Sequence, residues 1–175
     1  MEGNWASLYE QRRAENIVTT SDLLSFAYQI ANGMEFLHIK EVACFGSGLS
    51  KRFDNIPCQV VHRDLALRNI FLTFDYIVKI GDFGLSRRTI NGLYQKCQNP
   101  HLPLKWTAPE VFVNNTIPIE SDLYTFGILL WELFTLGGMP HEQFVFVQEV
   151  EEEEINVVAK KGKRMDKPSL APKEM

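Results

Sequence analysis

His62-Arg63-Asp64-Leu65-Ala66-Leu67-Arg68-Asn69 stands between two short apolar runs, Gln59-Val60-Val61 and Ile70 to Thr73. A further β-type run, Ile77 to Ile80, leads straight into Asp82-Phe83-Gly84, and Ala108-Pro109-Glu110 follows downstream. Phe74-Asp75-Tyr76 separates the two β-type runs, which predicts a hairpin. Any one of these Asp or Asn residues, taken alone, reads as a turn former. Three motifs in fixed order set the stretch apart, and the expectation is that Asp64, Asn69 and Asp82 converge on one cleft.

The ordered set resembles the protein-kinase signature. The resemblance implies transfer of a phosphoryl group from ATP with Mg²⁺ as the metal, and the residue types suit that chemistry. Phosphoryl transfer needs an acceptor that positions the attacking hydroxyl and cations that neutralise the phosphates. Asp64 supplies the acceptor. Asn69 offers a neutral oxygen and Asp82 a carboxylate to Mg²⁺, which favours one or two carboxylates completed by phosphate oxygens and water. Gly84 leaves the backbone free just beyond Asp82. The resemblance implies Asp64 and Arg68 as the catalytic candidates, Asn69, Phe71 and Asp82 as the cofactor-binding ones, and Asn69 and Asp82 as the metal ligands.

The resemblance narrows to tyrosine kinases. The loop is similar to the receptor-type pattern His-Arg-Asp-Leu-Ala-Ala-Arg-Asn. Arg68 stands in the place typical of tyrosine-directed enzymes, and Ala66 where serine/threonine kinases usually carry Lys. Leu102-Pro103-Leu104-Lys105-Trp106-Thr107-Ala108-Pro109-Glu110 resembles the tyrosine-kinase substrate platform, whose Pro and Trp imply a groove deep enough for a phenol. Ser121-Asp122-Leu123-Tyr124-Thr125-Phe126-Gly127 resembles the start of the central buried helix, which implies that Asp122 braces the backbone of the catalytic loop. By the same resemblance His62 and Phe83 belong to a regulatory stack, Phe71 takes the place of the usual Leu under adenine, and Glu110 awaits an Arg from later helices. Tyr94 stands where receptor kinases carry an activation-loop phosphosite. A phosphate there adds about -1.5 to -2 charge, which Arg63 is placed to pair with.

Outward from this centre, Ser21-Asp22 offers an N-cap and the apolar spacing predicts a helix from Asp22 to His38. Ile39 to Asn55, rich in glycine and charge, reads as a bulge, and Arg87 to Pro103 as a long irregular loop. Ala108 to Val113 reads as a short helix, and Ser121 to Leu136 as a long apolar one stopped by Gly137-Gly138. The expected division is an irregular lead-in over 1–20, a partial kinase large lobe over 21–140 and a degraded or loosely structured segment over 141–175. The expected fold class is protein kinase-like (α+β): a mainly α-helical large lobe with short β-hairpins, the small lobe absent. Neither a Gly-rich loop nor a strand lysine, which the resemblance places before residue 21, is found there.

The chain has 175 residues, 45% of them hydrophobic, enough for one domain with a real core. A net charge of -4 argues against electrostatic binding of nucleic acid. Cys44, Cys58 and Cys97 fit neither a disulfide framework nor a metal site. Met1 to Arg13 shows no signal-peptide core, and the apolar run Phe126 to Met139 is too short to cross a bilayer and is interrupted by Glu132. Two readings remain open. One is a tyrosine kinase of receptor-type signalling, at the cytoplasmic side of the plasma membrane, with tyrosine-bearing protein substrates and self-association through its parent receptor. The other is a non-catalytic kinase fragment or pseudokinase-like interaction protein.

Overall fold

Leu23, Phe26, Ala27, Ile30, Met34 and Leu37 recur at helical spacing and form the buried face of helix α1, Thr20–Ile39. The computed structural model describes residues 3–4, 18–39, 59–95, 102–114, 116–142 and 164–173. The helix starts two residues earlier than Ser21-Asp22 suggests. Thr19 is the cap: Asp22 Oδ2 accepts from its amide at 2.8 Å and its hydroxyl at 2.7 Å, and Asp22 N donates back to Thr19 Oγ1 at 3.3 Å. The reciprocal bonds make a capping box with Asp in the third helical position. They also hold the Asp22 carboxyl below its ordinary pKa.

The expected hairpin is β3, Ile70–Leu72, against β4, Val78–Ile80, with Ile70 opposite Ile80 and Leu72 opposite Val78. Its turn closes through Thr73, which receives Tyr76 N at 3.1 Å and donates its own N–H to Ile77 O at 2.9 Å. The amide of Gln29, on α1, grips the far end of the hairpin. It donates to Tyr76 O at 3.1 Å and accepts from Val78 N at 2.9 Å. Phe26 and Tyr76 stack beside this clamp, with ring centroids 6.0 Å apart.

Among the named strands only this pairing is a local hairpin, and a second tight turn, Asn91-Gly92, closes a single antiparallel bridge between Ile90 and Leu93. Strand β2, Val60–Val61, pairs antiparallel with β5, Arg87–Arg88, and β6, Leu93–Gln95, with β7, Thr116–Pro118. The expectation of a long irregular loop over Arg87 to Pro103 is corrected over 87–95, where β5 and β6 form; residues 96–101 lie outside the described residues. These strands have two or three residues each and partners far along the chain, so no alternation marks them, and the turn signal Asn91-Gly92 closes only the single bridge from Ile90 to Leu93 and does not reveal the distant partners. Within the stretch read as an irregular lead-in, β1, Gly3–Asn4, adds to the outer edge of β3, with Gly3 opposite Leu72.

Helix α2, Glu110–Val113, is a single turn, and α3, Ser121–Phe134, carries eight buried residues out of fourteen. The main core joins α1, the hairpin and α3 through Phe26, Ile30, Leu65, Ile70, Leu129 and Phe134. A smaller cluster of Val61, Ala108, Val111 and Ile117 lies under β6 and β7. The end of α3 is a Schellman motif: Gly137 N donates to Glu132 O at 2.8 Å and Leu136 N to Leu133 O at 3.2 Å. Leu136, with φ 64°, takes the left-handed position that glycine usually fills, and Gly137 follows with φ 92°.

Within the segment expected to be loosely structured, 141–175, residues 164–173 are described and make contacts with the body. Trp131 Nε1 donates to Asp166 O at 2.9 Å, His141 N points at Met165 Sδ at 3.4 Å, and Ala171 packs against the main core. The proline-bearing stretch has no periodicity to read, so its docking is invisible until α3 is in place. Of the bulge expected over Ile39 to Asn55, Ile39 is the last residue of α1 and the rest lies outside the described residues, as do the three cysteines and the acidic run Glu151–Glu154. No helix among the described residues is long and apolar enough to cross a membrane.

Candidate active site

Asp122, at the second position of α3, is buried and works on backbone. Its Oδ2 accepts from His62 N at 2.6 Å and its Oδ1 from Arg63 N at 3.0 Å, while His38 Nε2 lies 3.2 Å from Oδ2. The two amides are thereby satisfied in a turn where Arg63 sits at φ 70°. Such a conformation is costly for a non-glycine residue, and the carboxylate holds it in place.

His62 is fully buried and joins the two halves of the site. Its Nε2 lies 3.1 Å from Gly81 O, its Nδ1 accepts from Asp64 N at 3.3 Å, and its ring meets Phe83 with centroids 4.8 Å apart. A carbonyl at Nε2 and an N–H at Nδ1 define the neutral Nε2–H tautomer. Burial pushes the imidazole pKa down, against the opposing charges of Asp122, Asp64 and Asp82, so the ring stays neutral and rigid.

Asp64 and Asn69 are in direct contact. Asn69 Nδ2 donates to Asp64 O at 2.8 Å and to Asp64 Oδ2 at 2.9 Å, and Arg68 pairs with Asp64 Oδ1. The Asn69 amide nitrogen is thus turned toward Asp64, which leaves Asn69 Oδ1 without a hydrogen bond among the described residues. Asp82 lies on the adjoining turn, exposed, at φ 56°, its Oδ1 accepting from Gly84 N at 3.3 Å. Gly81 N donates to Asn69 O at 2.9 Å, so the residue before Asp82 is tied to the residue that ends the catalytic loop. Phe71 explains Gly81: a Cβ there would lie 2.5 Å from the Phe71 ring. Among the described residues no group of three His, Cys, Asp or Glu side chains could hold a metal. An amide oxygen and an exposed carboxylate are of the ligand types that a hard cation keeping water and phosphate ligands takes.

Arg68 lies over the Trp106 ring, 4.4 Å from its centroid, and the Trp106 indole donates to Glu132 Oε2 at 2.8 Å. Leu67 N donates to the same oxygen at 3.0 Å. Glu132 is the residue that sequence reading misses, since it registers there only as an interruption in an apolar run. Its spacing of four from Ile128 and three from Leu129 puts it on their buried face, and that spacing is the available signal.

Two expected residues sit apart from this cluster. Tyr94, half-buried in β6, faces Arg63, whose guanidinium carbon is 5.3 Å from the ring centroid. Burial and the nearby Arg87 push the Arg63 pKa down, and Arg63 Nε is buried without a hydrogen-bond partner among the described residues. Glu110 is exposed at the start of α2 and forms no ion pair among the described residues.

The sequence profile of a family described as protein tyrosine and serine/threonine kinase matches residues 57–175. The chain is 39% identical over 163 residues to fibroblast growth factor receptor 1 of Pleurodeles waltl, covering 93% of this chain and 17% of the relative. It is likewise 39% identical over 162 residues to fibroblast growth factor receptor 1 of Xenopus laevis, covering 92% and 17%. The chain therefore spans about a sixth of the length of the curated relatives it matches. The resemblance to receptor-type tyrosine kinases, read from the loop and platform motifs, is borne out.

Proposed function

The chain belongs to the protein tyrosine and serine/threonine kinase family, and we propose that its described residues form the catalytic-loop side of a phosphotransferase directed at tyrosine. The observation that carries this reading is the Asp64–Asn69 contact set beside the Asp82 turn, with His62 bonded to both sides. The family generally uses ATP and Mg²⁺. Asn69 Oδ1 and the Asp82 carboxylate are the groups that would hold the cation, with Phe71 beside the nucleotide, and a bound Mg²⁺ neutralises phosphate charge. Asp64 would accept the proton of the attacking tyrosine hydroxyl, while Arg68 and Asn69 fix the carboxylate's orientation. Residues 21–140 would then be the large-lobe part of the kinase fold, working on tyrosine-bearing proteins at the cytoplasmic face of a parent receptor that self-associates.

Incubation of the full chain with γ-labelled ATP and a tyrosine-, serine- and threonine-bearing copolymer tests this. Label is expected on tyrosine. Label confined to serine or threonine overturns the specificity, and no label in any arm favours the non-catalytic reading.

Tyr94 would act as the switch. Arg63 stands at its ring and feels the repulsion of Arg87, so an added phosphate would offset that repulsion with an attraction to Arg63. Tyr94→Phe is expected to lower the activated rate by about 5- to 150-fold, the usual span of such coupling. Mass spectrometry of the active protein alongside rate measurement checks it. Full activity with Tyr94 never phosphorylated rejects the switch.

A further inference from the structure

Arg63 is 6% exposed, and its Nε is the one buried side-chain polar atom without a hydrogen-bond partner among the described residues. Arg63 also lines a small cavity, together with Thr107, Val111, Ile117, Ser121 and Thr125. We infer that this cavity is a site for one ordered water. The water accepts from Arg63 Nε–H and is held by the hydroxyl groups of Ser121, Thr107 and Thr125. It ties the loop residue that faces Tyr94 to the 102–110 stretch and to α3. The inference goes beyond the phosphotransfer reading and holds whether or not the chain transfers phosphate.

The donors and acceptors around the cavity select the guest. A buried water needs about two to four polar partners, accepting through its oxygen and donating through its hydrogens. The Arg63 Nε–H can only donate. Thr107 donates its hydroxyl hydrogen to Pro103 O at 2.9 Å, and Thr125 donates its own to Ser121 O at 3.1 Å. Both of these oxygens therefore have only lone pairs left to offer. The Ser121 hydroxyl makes no hydrogen bond to the described residues and can serve either way. One donor among three acceptors is the complement of a water. A halide would meet the lone pairs of Thr107 and Thr125 as like charge, and an apolar guest would leave Nε unpaired. The cavity leaves about 10 Å³ for the centre of a water-sized sphere, room for one such molecule.

The electrostatics of Arg63 call for such a partner. No carboxylate forms an ion pair with it among the described residues, and burial and the charge of Arg87 disfavour its charged form. Buried polar groups are almost always paired with protein or with ordered water, and a buried cation most of all. A water oxygen at Nε offsets part of that cost. It also fixes the guanidinium by one edge, with its carbon 5.3 Å from the Tyr94 ring centroid. Asp122 holds the Arg63 backbone through its amide, and the water holds the same residue's side chain, so α3 positions both parts.

The test is water–protein NMR on the full ¹⁵N-labelled chain. The Arg63 Nε–H is expected to show a rotating-frame Overhauser peak at the water frequency. Its sign is opposite to that of a proton-exchange peak, which separates a resident water from simple exchange. Ser121→Ala removes one of the water's partners and no other hydrogen bond among the described residues. It is expected to speed hydrogen exchange at Arg63 Nε–H by about tenfold, the worth of one modest hydrogen bond, with the Trp131 indole unchanged. A wild-type chain without the Overhauser peak overturns the inference, as does unaltered Nε–H exchange in a folded Ser121→Ala chain. Diffraction from crystals of the wild-type chain soaked in sodium bromide gives a second measurement that needs no variant. A water oxygen within hydrogen-bond reach of Arg63 Nε upholds the site, while an anomalous bromide peak there, or a dry cavity, overturns it.

Discussion

Asp64→Asn is expected to lower phosphotransfer to tyrosine by about 10²–10⁴-fold, the cost of removing a positioned base. The substitution keeps the side chain's shape and replaces the proton acceptor with an amide. The backbone contact from Asn69 Nδ2 to Asp64 O survives it, as does the amide bond to His62 Nδ1. What is lost is the charge of the pair with Arg68, whose side chain is 41% exposed against 14% for Asp64, and one of the two oxygen acceptors used by Arg68 and Asn69 Nδ2, together about 1–2 kcal/mol. Stability should therefore fall modestly while rate collapses. Single-turnover kinetics on a tyrosine peptide, with circular dichroism and urea melts in parallel, separates the two. An Asp64→Asn variant that keeps full rate would remove Asp64 from the proposed role.

Asp122→Ala should show the reverse pattern, a large loss of stability at a residue proposed to touch no substrate. The carboxylate is 1% exposed and satisfies two buried backbone amides as well as His38. Removing it leaves His62 N and Arg63 N buried without acceptors, each costing about 1–3 kcal/mol, and leaves Arg63 in a left-handed conformation without its brace. The expected loss is about 3–5 kcal/mol, at the scale of breaking a buried charged contact. Chemical denaturation at equilibrium measures it, and a loss below about 1 kcal/mol would mean that the loop keeps its shape by other contacts.

How much of this is legible in the sequence depends on which physics leaves a local trace. Helix α1 is readable because Leu23, Phe26, Ile30, Met34 and Leu37 carry its period along the string. The β3–β4 hairpin is readable because turn chemistry sits between two short apolar runs. The motif residues of the site are readable by resemblance, and the spatial relation of Asp64 to Asn69 follows from five residues of one tight loop. The pairing of Arg87–Arg88 with Val60–Val61 is not readable, because two-residue strands have no alternation and register is decided by a distant partner. Glu132 misleads: inside an apolar run a lone acid resembles a break in the pattern, and only the positions of Leu67 and Trp106 reveal the donors that make its burial tolerable. Leu136 escapes notice because the glycine pair next to it is the stronger stop signal, whereas the helix turns one residue sooner.

The two strands of the β3–β4 hairpin end at the two oxygen donors proposed for the cation. Asn69 immediately precedes Ile70, Asp82 follows Gly81 at the exit of β4, and Ile70 faces Ile80. Opposed residues in such a ladder stand about 4.5–5.5 Å apart, so the gauge between the donors is written in backbone register and not in the donors themselves. A single residue inserted in either strand would misalign the caliper while leaving every acidic and amide side chain present. The hairpin is thus the measuring instrument of the site, and Gln29 holds its handle from α1.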